Sequence, residues 1–272
     1  MSIVFSFHQG TSPLLISIPH DGRRIPPRIA DRMTEQGLAI PDTDWHVRKL
    51  YEFAKISGAS ILAAKYSRYV IDLNRSPDDE PLYEGFTTGL APLQTFNGEP
   101  IYRQGREPQR KSILRRIERY WRPYHLELAE RLERIRAHFG YAVLWDAHSI
   151  RSVLPELFRG ELPELNIGTN DGRSCPQAVE DAVGRAAAAS PYTQVVNGRF
   201  KGGYITRHYG DPPAGIFAVQ LEIAQRGYMN EESLRYDVAR AETLGRTLEA
   251  MLSACLNGAA AAAAGMLPGE DR

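Results

Sequence analysis

The hydrophobic positions of this chain follow two periods that alternate along its length. Leu14-Leu15-Ile16-Ser17-Ile18 is a nearly continuous apolar run, which reads as a strand buried on both faces. Pro19 follows it, and proline is tolerated where a strand ends because no ladder hydrogen bond is needed there. The pattern returns at Tyr141-Ala142-Val143-Leu144-Trp145 and at Gly215-Ile216-Phe217-Ala218-Val219. Shorter extended runs are predicted over 60–66, 68–75, 165–169 and 193–196. Elsewhere the period lengthens. Ile113, Ile117, Trp121, Tyr124, Leu128, Leu132, Ile135 and Phe139 recur every three or four residues, predicting one long amphipathic helix over 110–139. Pro123 should kink it and Gly140 should end it. Asp42-Thr43-Asp44 could cap a helix over 45–57 that buries Val47, Leu50, Tyr51 and Ala54. Further helices are predicted over 177–189 and 233–256.

Strands alternating with helices predict an α/β fold with a mixed, mostly parallel central sheet flanked by helices on both faces. One domain over 1–257 is the simpler organisation, with 258–272 as a flexible alanine-rich tail. Residues 76–108 carry proline and glycine but few periodic apolar positions. So long an irregular stretch usually forms a lid or a binding loop. Within it, Leu82-Tyr83-Glu84-Gly85 and Thr95-Phe96-Asn97-Gly98 look like ordered turns.

Composition narrows the function classes. The 272 residues carry 33 basic and 33 acidic side chains, so overall charge favours neither nucleic acid nor an anionic membrane as partner. No uninterrupted apolar segment approaches the roughly 20 residues of a membrane span. Cys175 and Cys255 lie far apart, and with no export signal visible two thiols suggest a cytoplasmic protein. Any metal must then be held by nitrogen and oxygen.

Two apolar runs each deliver a histidine beside an aspartate to a strand's carboxyl end, where open α/β sheets place their ligands: His20-Asp21 and Asp146-Ala147-His148. Two histidines and one carboxylate are a common donor set for a hydrolytic zinc ion. Asp44 is the favoured carboxylate, with Asp21, Asp42 and Asp146 as alternatives. Asp146 shares the His148 face of a regular strand and could instead orient that ligand from behind. Glu222 stands in the apolar run Ala218-Val219-Gln220-Leu221-Glu222-Ile223 and is the candidate general base, because desolvation raises a carboxyl pKa toward the working range. Arg68, Asn74 and Arg75 flank one predicted extended run, and Arg207 lies on a glycine-rich stretch with Tyr204 and His208 as further donors. Several arginines converging on one pocket imply a small anionic substrate. Lys201-Gly202-Gly203 is too short for a phosphate-binding loop.

These segments resemble the N-formylglutamate amidohydrolase family over nearly the whole chain. The resemblance is carried by Ser17-Ile18-Pro19-His20-Asp21-Gly22, Asp42-Thr43-Asp44-Trp45, Ser67-Arg68 through Asp72-Leu73-Asn74-Arg75, Asp146-Ala147-His148-Ser149 and Gln220-Leu221-Glu222. The loop with Leu82-Tyr83, Thr87-Thr88-Gly89-Leu90 and Thr95-Phe96-Asn97-Gly98 points to the deformylase branch. The resemblance implies kinship with zinc carboxypeptidases and aspartoacylase, and a zinc-carboxypeptidase/phosphorylase-hydrolase-like fold. It further implies hydrolysis of N-formyl-L-glutamate to L-glutamate and formate, the last step of a histidine-degradation route, with zinc or another divalent metal. By motif, His20 and His148 match the zinc histidines, Glu222 the water-activating glutamate, and Asn74-Arg75 a substrate-binding pair. Arg68, Arg207 and Tyr204 fit other substrate contacts, and Arg68 is the arginine favoured to stabilise the oxyanion. Carboxypeptidases place the zinc glutamate three residues after the first histidine, where this chain has Arg23. The nearest alternative activity is cleavage of another N-acylated acidic amino acid. The alternative from another class is a metal-free dicarboxylate-binding protein.

Overall fold

Leu14, Leu15, Ile16 and Ile18 are wholly or almost wholly buried, as a strand covered on both faces requires. They form β2 (Leu14–Ile18) in a seven-stranded sheet seen in a computed structural model, which describes residues 4–80 and 88–265. The other strands are β1 (Phe5–His8), β3 (Ser60–Ala64), β4 (Ala142–Ile150), β5 (Leu165–Gly168), β6 (Gln194–Val196) and β7 (Ile216–Ala224). Their order is β1-β3-β2-β4-β7-β5-β6. The four central strands run parallel, β1 joins β3 antiparallel, and β5 joins β7 antiparallel. The sheet is therefore mixed and mostly parallel.

Among the described residues eight α-helices surround it: α1 (Pro27–Ala30), α2 (Glu35–Ala39), α3 (Val47–Leu50), α4 (Arg110–Arg116), α5 (Arg122–Phe139), α6 (Gln177–Ala188), α7 (Tyr204–Tyr209) and α8 (Val238–Ala264). One sheet face carries Ile16, Ile18, Val143, Trp145, Val219 and Leu221 beneath α3, α6 and α8. The opposite face carries Leu15, Leu144 and Ala218 against Tyr124, Leu128 and Leu132 of α5. Among the described residues no helix is long and apolar enough to cross a membrane. Both cysteines are buried free thiols.

Several elements depart from the sequence pattern for identifiable reasons. The 110–139 helix is not one α-helix, because Ile117–Trp121 between α4 and α5 is π-helical. Pro123 lies in the first turn of α5, and the wider turn ahead of it accommodates the missing N–H that was expected to give a kink. The helix over 45–57 shortens to α3 and a 3-10 turn over Glu52–Lys55, although Val47, Leu50, Tyr51 and Ala54 are buried as predicted. The 68–75 run is a series of turns rather than a strand. The glycine-rich stretch contains α7. The final helix runs on to Ala264 instead of fraying after Gly258. Gly258 and Ala259 are buried there, and a Cβ on Gly258 would sit 3.0 Å from the Ala178 carbonyl oxygen, so small side chains let α8 close on α6. The proposed turn at Leu82–Gly85, Thr87 and the end of the tail lie outside the described residues.

Candidate active site

The α5-facing side of the sheet changes character row by row toward the strands' carboxyl ends. Leu15, Leu144 and Ala218 share a rung, followed two residues on by Ser17, Asp146 and Gln220, and then by His148 beside Glu222. Period-two geometry therefore brings five polar residues in two rows onto one face as that face leaves the cover of α5. Ser17 closes the core below by meeting the Tyr124 hydroxyl at 3.0 Å.

His20 follows β2, and its Nε2 lies 2.7 Å from Asp72 Oδ1. His148 Nε2 lies 3.1 Å from Asp146 Oδ2. Both Nδ1 atoms face one carboxylate, since Asp44 Oδ2 is 3.7 Å from His20 Nδ1 and 3.1 Å from His148 Nδ1. Ligand atoms of His20, Asp44 and His148 all lie within 4.8 Å of one another, and all three side chains are buried. A carboxylate behind each imidazole fixes the ring and leaves Nδ1 as the face offered to an ion, the usual support of a metal-binding histidine. Two imidazole nitrogens and one carboxylate oxygen, with an open side toward a cleft, suit a divalent ion of the zinc type.

The other carboxylates have different work. Asp42 Oδ2 accepts from the Tyr69 hydroxyl at 2.6 Å and from the Phe96 amide at 2.9 Å. Asp21 accepts from Arg23 and from the Arg48 amide, on the surface side of the strand end. Asp146 backs His148, the role weighed for it from the sequence. Asp44 reaches the cleft because its own segment is pinned: its amide donates to the His20 carbonyl at 3.2 Å, and Gln225 donates to Thr43 O at 3.0 Å. Its side chain accepts from the Ser149 amide rather than capping a helix.

Charge follows this wiring. Burial, and then Arg68, lower the His20 pKa against the pull of Asp72 and Asp44. Burial also opposes charge on His148, but Asp146 and Asp44 outweigh it and hold that pKa well above the ordinary value. For Asp72, burial is overcome by Arg68 and His20, which keep its carboxyl well below the usual range. Burial pushes Glu222 up to about 8, with His148 opposing.

Arg68 donates through Nε and Nη2 to Asp72 Oδ2 at 3.2 and 2.7 Å, and its guanidinium lies 4.9 Å over the Phe96 ring. Its Nη1 is 3.9 Å from Asp44 Oδ1. Asn74 Nδ2 lies 3.0 Å from His148 Nε2 and packs beside that ring, and its Oδ1 accepts from the Ile205 amide at 2.8 Å. Arg75 donates to Thr88 O at 2.8 Å and lines the cleft with Arg68, Asn74, Arg199, Gln220 and Glu222. The cleft has a cavity volume of about 80 Å³ and opens to solvent.

Tyr204, Arg207 and His208 are not among the residues lining this cleft. Because α7 begins at Tyr204, that ring turns to stack on His208 and to approach Trp121 and His125, while Arg207 Nε donates to Gly202 O. The wall instead presents Arg199 and Phe200, just upstream, and Gly203. Sequence reasoning passed over Arg199 and assigned no role to Asp72. Asp72 was legible as part of the Asp72-Leu73-Asn74-Arg75 motif, but reading that motif as a strand hid how turns aim its side chains at one place.

Gly203 explains its own identity. A Cβ there would lie 2.2 Å from Asn74 Nδ2, and its amide donates to Gln220 Oε1 at 2.7 Å. Gly203→Ala is expected to push Asn74 off His148, costing about 1–3 kcal/mol of stability as overpacking does. Turnover should fall about tenfold, in the range set by loss of a ligand's supporting partner. Thermal melting and steady-state kinetics on the purified variant measure both.

A mixed α/β sheet offering two backed imidazoles, a bridging aspartate and a buried glutamate at one rim defines a hydrolase with a metal-capable centre. The chain belongs to the N-formylglutamate amidohydrolase family, whose model matches residues 12–229. It is 52% identical over 258 residues to the N-formylglutamate deformylase of Pseudomonas putida, covering 94% of this chain and 97% of that protein. The N-formylglutamate deformylase of Pseudomonas aeruginosa is 51% identical over 261 residues, covering 93% of this chain and 97% of that protein. The crystal structure of N-formylglutamate amidohydrolase from Ralstonia eutropha JMP134 superposes with a TM-score of 0.80 at 26% identity, over 93% of this chain and 97% of that one. A gene product of Agrobacterium tumefaciens at 19% identity shares the fold, with a TM-score of 0.69 over 93% of this chain and 94% of that one.

Proposed function

We propose that this chain hydrolyses N-formyl-L-glutamate to L-glutamate and formate, as the last step of a histidine-degradation route, with zinc held by His20, Asp44 and His148. The convergence of those three ligand atoms in one cleft with Glu222 carries the reading. A divalent ion held by these three residues would polarise a carbonyl oxygen and lower the pKa of water to about 7. Glu222, in register with His148 across β4 and β7, takes the proton of the attacking water. The water oxygen adds to the formyl carbon, the carbon–nitrogen bond breaks, and Glu222 returns the proton to the leaving amine. Arg68 supplies positive charge beside the developing oxyanion through its Nη1 edge. The substrate carries two carboxylates, and Arg75 and Arg199 on the cleft wall are the cations placed to receive them. Asn74 keeps His148 aligned. Tyr204, Arg207 and His208 support the Gly203 turn from outside the cleft.

The test compares acyl groups and counts metal. Purified from zinc-supplemented cells, the protein should hold about one zinc per chain, as one three-residue donor set with an open position implies. Formate release from N-formyl-L-glutamate should exceed acetate or succinate release from the N-acetyl and N-succinyl analogues. Preference for a longer acyl group would reassign the substrate. Tight dicarboxylate binding with neither zinc nor turnover would make the protein a binder instead.

A further inference from the structure

Residues 72–75 belong to no strand or helix, yet they carry Asp72 behind His20, Asn74 beside His148, and Arg75 on the cleft wall. An irregular segment aims side chains well only if its backbone is held by something rigid. Two side chains of the long helical element do this from behind. Trp121 Nε1 donates to the Arg75 carbonyl at 3.0 Å, and His125 Nε2 meets the Leu73 carbonyl at 2.9 Å. The two rings stack with centroids 3.7 Å apart and planes 22° from parallel, so each fixes the other. Trp121 closes the π-helical turn and His125 stands in the first turns of α5. Short π-helical stretches inside helices recur at functional sites.

We propose that Trp121 and His125 are positioning residues, a stacked pair that grips alternate carbonyls of residues 72–75 and thereby sets the aim of His20, His148 and Arg75. The pairing has a definite tautomer. A carbonyl oxygen only accepts, so His125 donates through Nε2, and the Tyr209 hydroxyl shares its one proton between His125 Nδ1 at 3.0 Å and the His125 carbonyl oxygen at 3.1 Å. Burial lowers the His125 pKa to about 3, which keeps the ring in this neutral form. Tyr209 lies on α7, whose N-cap residue Gly203 packs on Asn74, so the same histidine ties the segment to its second neighbour. Neither ring lines the cleft, which separates the pair from residues that touch substrate.

This inference rests on the metal-dependent reading for its consequences but not for its geometry, and the experiment separates the two. Trp121→Phe keeps an aromatic ring and deletes the donor. His125→Leu deletes the donor and the tautomeric ring, whereas His125→Gln keeps an amide donor at similar reach. Hydrogen–deuterium exchange over 70–76 should accelerate at least about tenfold in Trp121→Phe and His125→Leu, with the central strands protected as in the parent protein. Transfer of zinc to a chromogenic chelator should quicken about 10- to 100-fold in the same two variants, the range for loss of a ligand's outer partners. kcat should fall with it, KM should rise through Arg75, and His125→Gln should recover most of each loss. Unchanged exchange over 70–76 overturns the clamp. So does His125→Gln behaving as badly as His125→Leu in exchange and metal release, since that pattern marks a packing role alone. If the parent protein binds no zinc and releases no formate, the functional reading fails, and the exchange measurement still decides the clamp.

Discussion

Glu222→Gln is expected to retain the metal and to lose about 10²-fold or more in turnover on N-formyl-L-glutamate, the contribution typical of one acid–base group. The substitution is nearly isosteric and sits in β7, whose backbone pairs with β4 on one side and β5 on the other, so the fold has no reason to shift. What changes is the ability to accept a proton. A carboxylate here is costly to bury, and burial already pushes its pKa to about 8, against the opposing effect of His148. The chain tolerates that cost at a position where an apolar residue would continue the strand. Glu222 opposes His148 in register, close enough to serve the same reacting atoms. The informative measurement is zinc content alongside kcat. Full zinc with kcat reduced and KM little changed places Glu222 in the proton transfers. Turnover equal to the parent protein removes Glu222 from that role, and a loss of zinc would mean that it supports the metal instead.

The sheet was largely legible because β2, β4 and β7 are apolar on both faces, and a two-sided burial demand writes itself into sequence. His148 and Glu222 were legible for the same reason, as polar residues that interrupt runs which otherwise have no use for them. Helix boundaries were less so. Nothing in the three-to-four spacing of Ile113 through Phe139 separates α-helical from π-helical turns, because Ile117, Tyr120 and Trp121 stay buried either way. The weakest predictions concerned loops. Tyr204, Arg207 and His208 were drawn from a glycine-rich stretch and the family resemblance; a six-residue helix starts at Tyr204, and among the described residues the cleft wall there presents Arg199, Phe200 and Gly203. Asp72 was hidden differently. Its role depends on Arg68, four residues before it, and on His20 in another segment, and only folding brings those groups together.

Asp44→Ala should be the most damaging single change at the metal centre, and Asp42→Asn, two positions away, should leave that centre intact. Asp44 Oδ2 faces both Nδ1 atoms, and it also accepts the Ser149 amide. Removing it takes away a donor and leaves two imidazoles that cannot by themselves balance a divalent charge. Loss of an outer-shell partner already weakens metal binding about 10- to 100-fold, so loss of a direct ligand should exceed 10²-fold. Turnover should fall in parallel, because the ion proposed to polarise the carbonyl would be lost. Asp42 is a different case: its carboxylate oxygen is occupied by Tyr69 and by the Phe96 amide, contacts that an asparagine oxygen can also accept. Asp42→Asn should therefore shift the melting temperature by a few degrees at most, with zinc content unchanged. Competition with a chelator of known affinity ranks the variants directly. Equal zinc affinity in Asp44→Ala and the parent protein would transfer the third ligand to another carboxylate, and weaker binding in Asp42→Asn alone would identify Asp42 as that ligand.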